Sequence, residues 1–216
     1  QTATTTVFSD DYNRGSGTAS AFSNGGTPSM TYTQTTSSTG TGGGAITRFN
    51  QTSGTDYSMQ ILSAESNGTT TNQTAGYTYI TAPLSSLAAP FNSTLNSNPG
   101  PVTWTFNLKT NRGTYPLSGF GSGSYGGAIM LMGTNSNMGA SGANGYAIIF
   151  AKGITDATNN TVRLVKFLGG ISGGASTGGA SSSTTKVLIE PASLWTSTAK
   201  TSWARVKVVY TPSTNT

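Results

Sequence analysis

The chain has six acidic residues that could do carboxylate chemistry, and two of them are adjacent. Glycosidases need two carboxylates about 5 to 9.5 Å apart, one as acid and one as base or nucleophile. Neighbouring residues of a strand point to opposite faces, so the adjacent pair would not face a common substrate there. The other acids are isolated, and the sequence therefore lacks the spaced acid pair of a glycosidase. The six are Asp10, Asp11, Asp56, Glu65, Asp156 and Glu190.

The chain contains no His and no Cys. This removes the commonest general base, the commonest transition-metal ligand and every thiol nucleophile. Ser-His-Asp, papain-like and zinc-dependent chemistries are thereby excluded. Tyr and Arg remain, so a divergent polysaccharide lyase or hydrolase stays open as an alternative. We expect no catalytic residues within these 216 residues.

The segment "VFSDDYNRG" supplies a candidate calcium site, formed by Asp10, Asp11 and Asn13. Calcium prefers carboxylate and carbonyl oxygens, and this cluster could supply part of its shell. Alternatively, the two aspartates cap the turn after the first strand and pair with Arg14. The cluster lacks the spaced ligands of an EF-hand loop, so turn capping is favoured. We expect that no cofactor is required. A structural calcium ion is the only bound ion that the sequence suggests.

Candidate sugar-binding residues occur in two segments, because aromatic rings flanked by polar groups form platforms for sugars. In "SWARVKVVY", the residues Trp203, Arg205 and Lys207 would share a strand face opposite the apolar one. In the alternative interpretation, the aromatic side chains cover the core from its rim. The second group lies in the Gly-rich segment "NRGTYPLSGFGSGSYGG" and comprises Arg112, Tyr115, Phe120 and Tyr125.

The elements that would position these residues are strands. In "VTWTFNLKTN", Val102, Trp104, Phe106 and Leu108 alternate with polar residues, the period-2 pattern of a strand with one buried face. "AIMLMG" and "GYAIIFAKG" are nearly continuous apolar runs and predict central strands, and "NTVRLVKFLGG" predicts a partner for the second. We find no amphipathic helix of about ten residues, and only "APLSSLAAPF" predicts a helical turn. The sequence predicts an all-β, antiparallel two-sheet β-sandwich.

We expect a single domain over residues 1–216, with a low-complexity surface loop at 169–185. The net charge is +5, but the 11 Lys and Arg residues are scattered singly, so no nucleic-acid partner is expected. No apolar run is long enough to span a membrane, so no membrane insertion is expected. The chain begins with "QTATTT", as a chain does after signal-peptide removal, which favours an exported protein.

The order of segments resembles a known family. "VFSDDYNR", "GTPSMTYT", "YTYITAPLSSLAAPFN", "VTWTFNLKTNR", "GGAIMLMG", "GYAIIFAKG", "VRLVKFLGG" and "ARVKVVYTPSTNT" follow one another as in concanavalin A-like (lectin/glucanase) jelly-roll domains. These domains belong to large secreted or surface bacterial proteins of the type IX-exported kind. The resemblance implies two antiparallel sheets, one concave and often used to hold a glycan, but no particular activity.

In such domains, the strand corresponding to "ARVKVVYTPSTNT" is normally followed by a turn and a further strand. The chain is therefore expected to be an incomplete N-terminal part of a longer one, with an open sheet edge that other protein chains could pair with. We expect an extracellular or cell-surface, polysaccharide-binding or adhesive module without catalysis. The alternatives are a structural subunit of a surface assembly and the divergent lyase or hydrolase.

Overall fold

The computed structural model consists of two compact units, unit 1 (Gln1–Gly100) and unit 2 (Pro101–Thr216). Almost every described element is a β-strand in an antiparallel sheet, so the prediction of an all-β protein is confirmed. No helix among the described residues is long and apolar enough to cross a membrane. The structure describes residues 5–12, 17–18, 27–28, 30–38, 46–53, 56–62, 76–93, 97–109, 127–137, 139–152, 160–171, 185–189 and 202–212.

Unit 1 contains a three-stranded antiparallel sheet in the order β1-β3-β4 and an antiparallel pair of β2 with β5. Ser9, which precedes β1, and Thr27, which follows it, exchange two backbone hydrogen bonds of 3.1 and 2.8 Å. A short 3-10 helix, Leu84–Ser86, forms the helical turn predicted within "APLSSLAAPF". The strands are β1 (Gly17–Thr18), β2 (Thr33–Ser38), β3 (Ile46–Ser53), β4 (Asp56–Leu62) and β5 (Gly76–Thr81).

Unit 2 contains a four-stranded antiparallel sheet in the order β10-β9-β8-β7 and an antiparallel ribbon of β6 with β11. The predicted pairing of "GYAIIFAKG" with "NTVRLVKFLGG" is confirmed, because β8 and β9 pair along their whole length. The strands are β6 (Val102–Leu108), β7 (Gly127–Gly133), β8 (Gly145–Lys152), β9 (Asn160–Phe167), β10 (Thr185–Ile189) and β11 (Ala204–Tyr210).

The four-stranded sheet of unit 2 buries apolar side chains on both faces, which explains the nearly continuous apolar runs of β7 and β8. Ile148 and Ile149 are neighbours on β8 that point to opposite faces, and both are buried. The central position predicted for β8 is thus confirmed. The apolar run of β7 predicts a central position for this strand too, but β7 ends the described part of the sheet. Its apolar run is used on both faces, since Met130 joins one buried cluster and Leu131 the other.

One face of this sheet packs against the β6–β11 ribbon. Leu131, Ile148 and Val162 form a buried cluster with the apolar side chains of the ribbon, among them Trp104 and Val206. Trp104 is therefore a core residue, as its alternating strand predicts. The ribbon and the four-stranded sheet thus contribute apolar side chains to one cluster.

The opposite face of the sheet carries a second buried cluster, which includes Val165, Phe167 and Ile171. Ile171 is only 5% exposed, although it falls inside the predicted low-complexity loop at 169–185. Thr185, at the other end of that stretch, already begins β10. Residues 172–184 of the predicted loop lie outside the described part of the chain.

Candidate functional site

The polar side of the β6–β11 ribbon is the best candidate for a binding surface. Along both strands, half-buried residues alternate with exposed ones, as expected for a ribbon with one face on the core. The register places Arg205 opposite Asn107, Lys207 opposite Thr105, and Val209 opposite Thr103. We call this surface the outer ribbon face. It comprises the exposed residues Thr103, Thr105, Asn107, Lys109, Trp203, Arg205, Lys207 and Val209.

An exposed aromatic ring lies at one end of the outer ribbon face. Trp203 directly precedes β11 and is 52% exposed. Lys109 directly follows β6, and its Nζ lies 5.7 Å from the centroid of the Trp203 ring. This is a cation–π contact, worth about 0.5–1 kcal/mol at an exposed site. Trp203 is about half exposed even with Lys109 beside its ring, so part of the side chain can contact a ligand.

Three of the sequence-predicted residues, Trp203, Arg205 and Lys207, therefore share one exposed face, as their alternation predicts. The sequence reasoning missed Lys109 as a member of this site. The sequence did contain an indication of its position, because the alternation of β6 assigns Lys109 to the polar face. What the sequence did not reveal is that β6 pairs with β11. The second predicted group, Arg112, Tyr115, Phe120 and Tyr125, lies outside the described residues.

The charge of the chain is unevenly divided between the two units. Unit 2 has nine basic and two acidic residues, a net charge of +7, whereas unit 1 has two basic and four acidic residues, a net charge of −2. The described part of unit 2 contains seven basic residues and no acidic one. On the outer ribbon face, Lys109, Arg205 and Lys207 therefore have no carboxylate from the described part of unit 2 beside them. A further pair of basic residues, Lys166 and Lys186, lie opposite each other in the β9–β10 register.

Asp10, the first of the adjacent aspartates, holds a turn in unit 1. Its Oδ1 accepts a hydrogen bond of 2.8 Å from the backbone N–H of Tyr12, which closes an Asx turn. Tyr12 has a φ of 58°, in the left-handed region that few residues other than glycine adopt. The Oδ2 of Asp10 accepts a hydrogen bond of 2.6 Å from the hydroxyl of Tyr32. Asp10 therefore links the first turn to the chain just before β2.

The same contacts bear on the calcium site predicted at Asp10, Asp11 and Asn13. Asp11 is exposed, and Asn13 lies outside the described residues. Both oxygens of Asp10 already accept a hydrogen bond, which is the arrangement of a turn cap. Among the described residues, no group of three or more acidic side chains comes together. The calcium site stays a prediction, and the described contacts of Asp10 are those of turn capping.

Tyr32 is the described tyrosine whose ionisation is most clearly perturbed. Burial raises the pKa of its hydroxyl far above the ordinary value, and the hydrogen bond to Asp10 raises it further. At neutral pH the hydroxyl is therefore a proton donor and cannot act as a tyrosinate base. The ring of Tyr12 lies 6.2 Å from that of Tyr32, tilted by 51°. This cluster stabilises the fold and does not supply the base that a lyase would need.

Comparisons with known proteins found no match for this chain. No protein-family model matches the chain. No curated protein matches it, and no solved structure matches it.

Proposed function

We propose that this chain is a polysaccharide-binding or adhesive module without catalysis of its own, and that it binds its ligand on the outer ribbon face. The observation that carries the proposal is the half-exposed ring of Trp203 beside Arg205 and Lys207 on one polar strand face. An exposed tryptophan ring is costly to leave in water, and its flat face suits the apolar face of a sugar ring. The hydroxyls and amide of the neighbouring residues can bond sugar hydroxyls.

The shape of the surface favours an extended polymer over a small molecule. Small-molecule sites are concave and mostly apolar, whereas this face is an open ribbon of alternating polar residues. Residues two apart on a strand repeat every ~6.6–6.8 Å. Trp203, Arg205 and Lys207 thus form a row of three contacts along β11. A polymer lying parallel to the strand can contact all three at once.

We also propose the specific fold and the cellular location that the resemblance implies. The fold would be a concanavalin A-like jelly roll, and the apolar cluster shared by the antiparallel ribbon and the four-stranded sheet of unit 2 supports this. The setting would be extracellular or at the cell surface, after export through a cleaved signal peptide of a type IX-exported protein. The content of charged residues, only 8%, supports an extracellular surface, whereas the lack of Cys fits a bacterial exported protein and a cytosolic one equally. A structural calcium ion at Asp10, Asp11 and Asn13 would be an addition to this module.

One observation favours the alternative of a structural subunit in a surface assembly. β10 ends the described part of its sheet, and its residues Leu188 and Ile189 are 42% and 61% exposed. An apolar edge strand is a template for pairing with a strand of another chain. Under this alternative, Ile189→Lys converts an oligomer to a monomer in light scattering after size exclusion. A wild-type chain that is monomeric at high concentration would refute it.

The proposed function is tested by affinity electrophoresis and calorimetry with a panel of neutral and acidic polysaccharides. We expect Trp203→Ala to weaken binding about tenfold, since aromatic contacts are worth about 0.5–1.5 kcal/mol beyond their buried area. Trp203→Phe retains a ring and should lose less. Leu168→Ala is the matched control, because Leu168 is also exposed, at 48%, but lies outside the outer ribbon face.

Acrylamide quenching of tryptophan fluorescence gives an independent readout. Among the three tryptophans, Trp104 is a core residue and Trp203 is half exposed, so a ligand that covers Trp203 should reduce the quenchable fraction. The proposal is overturned if no polysaccharide binds. It is equally overturned if Trp203→Ala binds as the wild type does.

A further inference from the structure

We infer that the polysaccharide is an acidic one, bearing carboxylate or sulfate groups, and that Arg205 and Lys207 determine this specificity. The inference rests on the proposed function and adds the class of the ligand. It is carried by the row of basic residues on the outer ribbon face and by the charge division between the units.

The register brings together basic residues that are distant in sequence. Arg205 and Lys207 lie two positions apart on β11, so their Cα atoms are ~6.6–6.8 Å apart on one face. Lys109 is one position beyond the pair of Leu108 with Ala204, and its ammonium group lies against the Trp203 ring. Lys109, Arg205 and Lys207 thus form a short row of positive charges, which we call the positive row, with the Trp203 ring at one end.

This positive row lacks compensating charge in the described part of unit 2, where no acidic residue is present. The other members of the outer ribbon face are Thr103, Thr105, Asn107 and Val209, all of them neutral. Like charges on neighbouring strand positions repel each other. An anionic ligand attracts each of these basic side chains and so offsets their mutual repulsion. The net charge of +7 on unit 2 also raises the local concentration of anionic polymers.

Each contact of the row suits one part of an acidic sugar. The guanidinium of Arg205 can bond a carboxylate or sulfate through two parallel N–H groups. The ammonium of Lys207 supplies a point charge for the next acidic group along the polymer. Thr105 and Asn107 face these residues across the ladder and can bond the hydroxyls between the acidic groups.

A nucleic acid is the competing anion, and the surface fits it less well. Single-stranded nucleic acids are held by several aromatic side chains on which successive bases stack. The described outer ribbon face has one aromatic ring, Trp203, and its remaining neutral residues are mostly hydroxyls and an amide. Those groups match sugar hydroxyls better than the faces of bases.

The test compares polymers of the same backbone with and without charge. Polygalacturonate is measured against its methyl-esterified form, and dextran sulfate against dextran, with single-stranded DNA as a third probe. We expect the wild-type chain to bind the acidic member of a pair at least about tenfold more tightly. This preference should decline towards 1 M salt, where the screening length is about 3 Å.

Single substitutions then test whether Arg205 and Lys207 cause the preference for the acidic polymer. Arg205→Gln and Lys207→Gln should each weaken binding of the acidic polymer about tenfold and weaken binding of the neutral polymer less, because only the acidic polymer loses a charge–charge contact. Arg205→Lys retains the charge but loses the two-pronged contact, and should fall between. Lys166→Gln is the matched control, because it removes the same charge from an exposed residue of β9 that lies outside the row.

The outcomes separate this inference from the proposed function. Equal binding of neutral and acidic polymers, with loss on Trp203→Ala, overturns the inference and keeps the proposed function. An equal effect of Lys166→Gln and Arg205→Gln overturns it too, since only net charge would then matter. Tighter binding of DNA than of either acidic polymer overturns it in favour of a nucleic-acid partner. The absence of any polysaccharide binding overturns both.

Discussion

Replacing Tyr32 by phenylalanine should destabilise the chain by about 1.5 kcal/mol at neutral pH. The hydroxyl of Tyr32 donates a short hydrogen bond of 2.6 Å to the carboxylate of Asp10, and Tyr32 is only 9% exposed. Hydrogen bonds to charged groups contribute about 1.5–3 kcal/mol. Asp10 is half-buried, so water can partly replace the lost donor, and we take the lower end. The phenyl ring remains, so no cavity adds to the loss.

A double-mutant cycle with Asp10→Asn isolates this hydrogen bond. Asparagine keeps a side-chain oxygen for the backbone N–H of Tyr12, so the turn is retained while the charge is removed. We expect a coupling free energy of about 1 kcal/mol between positions 10 and 32. Urea unfolding followed by far-UV circular dichroism is the appropriate assay, since all the tryptophans lie in unit 2 and would report on that unit.

Two results would refute this reasoning. One is a Tyr32→Phe variant whose free energy of unfolding lies within about 0.5 kcal/mol of the wild type, the range of an ordinary surface change. The other is simple additivity of the two substitutions within about 0.3–0.5 kcal/mol, which would mean that the residues act independently. A change in the urea m-value alone would instead indicate an altered denatured state.

Three further predictions follow from single contacts. Because the pKa of Tyr32 is raised in the folded state, its stabilising contribution is complete below about pH 10 and is lost as the pH rises further. Urea titrations above that pH should therefore show the wild type losing stability faster than Tyr32→Phe, by up to about 1.4 kcal/mol per pH unit. Phe167→Ala, in a fully buried cluster, should lower the free energy of unfolding by about 3–5 kcal/mol, against less than about 1 kcal/mol for the exposed Leu168→Ala. Gly170 has a φ of 96°, and an added Cβ would lie 2.8 Å from a backbone carbonyl oxygen, so Gly170→Ala should cost about 2 kcal/mol or more. Gly142→Ala meets open space and should change stability by less than about 0.5 kcal/mol; equal thermal midpoints for these two variants would contradict this.

Much of unit 2 could be predicted from local pattern alone. The period-2 alternation of "VTWTFNLKTN" and "ARVKVVY" correctly predicts which residues of β6 and β11 face the core. The apolar run of β8 predicts a strand buried on both faces, because only such a strand needs apolar residues in consecutive positions. β8 and β9 are neighbours in sequence, so their pairing also follows from short-range order.

Only the β11 half of the candidate site could be predicted from the sequence. The alternation of β11 places Trp203, Arg205 and Lys207 on one face, but it does not reveal which strand lies beside them. Any strand presents the same backbone donors and acceptors, so the partner is selected by packing of side chains across the whole core. That selection pairs β11 with β6 and brings Lys109 to the Trp203 ring.

The sequence by itself determined that this chain is built of antiparallel strands with defined inner and outer faces, since side-chain direction in a strand depends only on position. It left two alternatives for Asp10, calcium binding and turn capping, because both use the same carboxylate. Only the tertiary structure brought Tyr32 to Asp10, buried Arg163 to 1% exposure within a sheet, and left Lys166 on the same strand in solvent. These outcomes depend on what packs over each position, and contacts between distant segments follow from the shared core and not from local pattern.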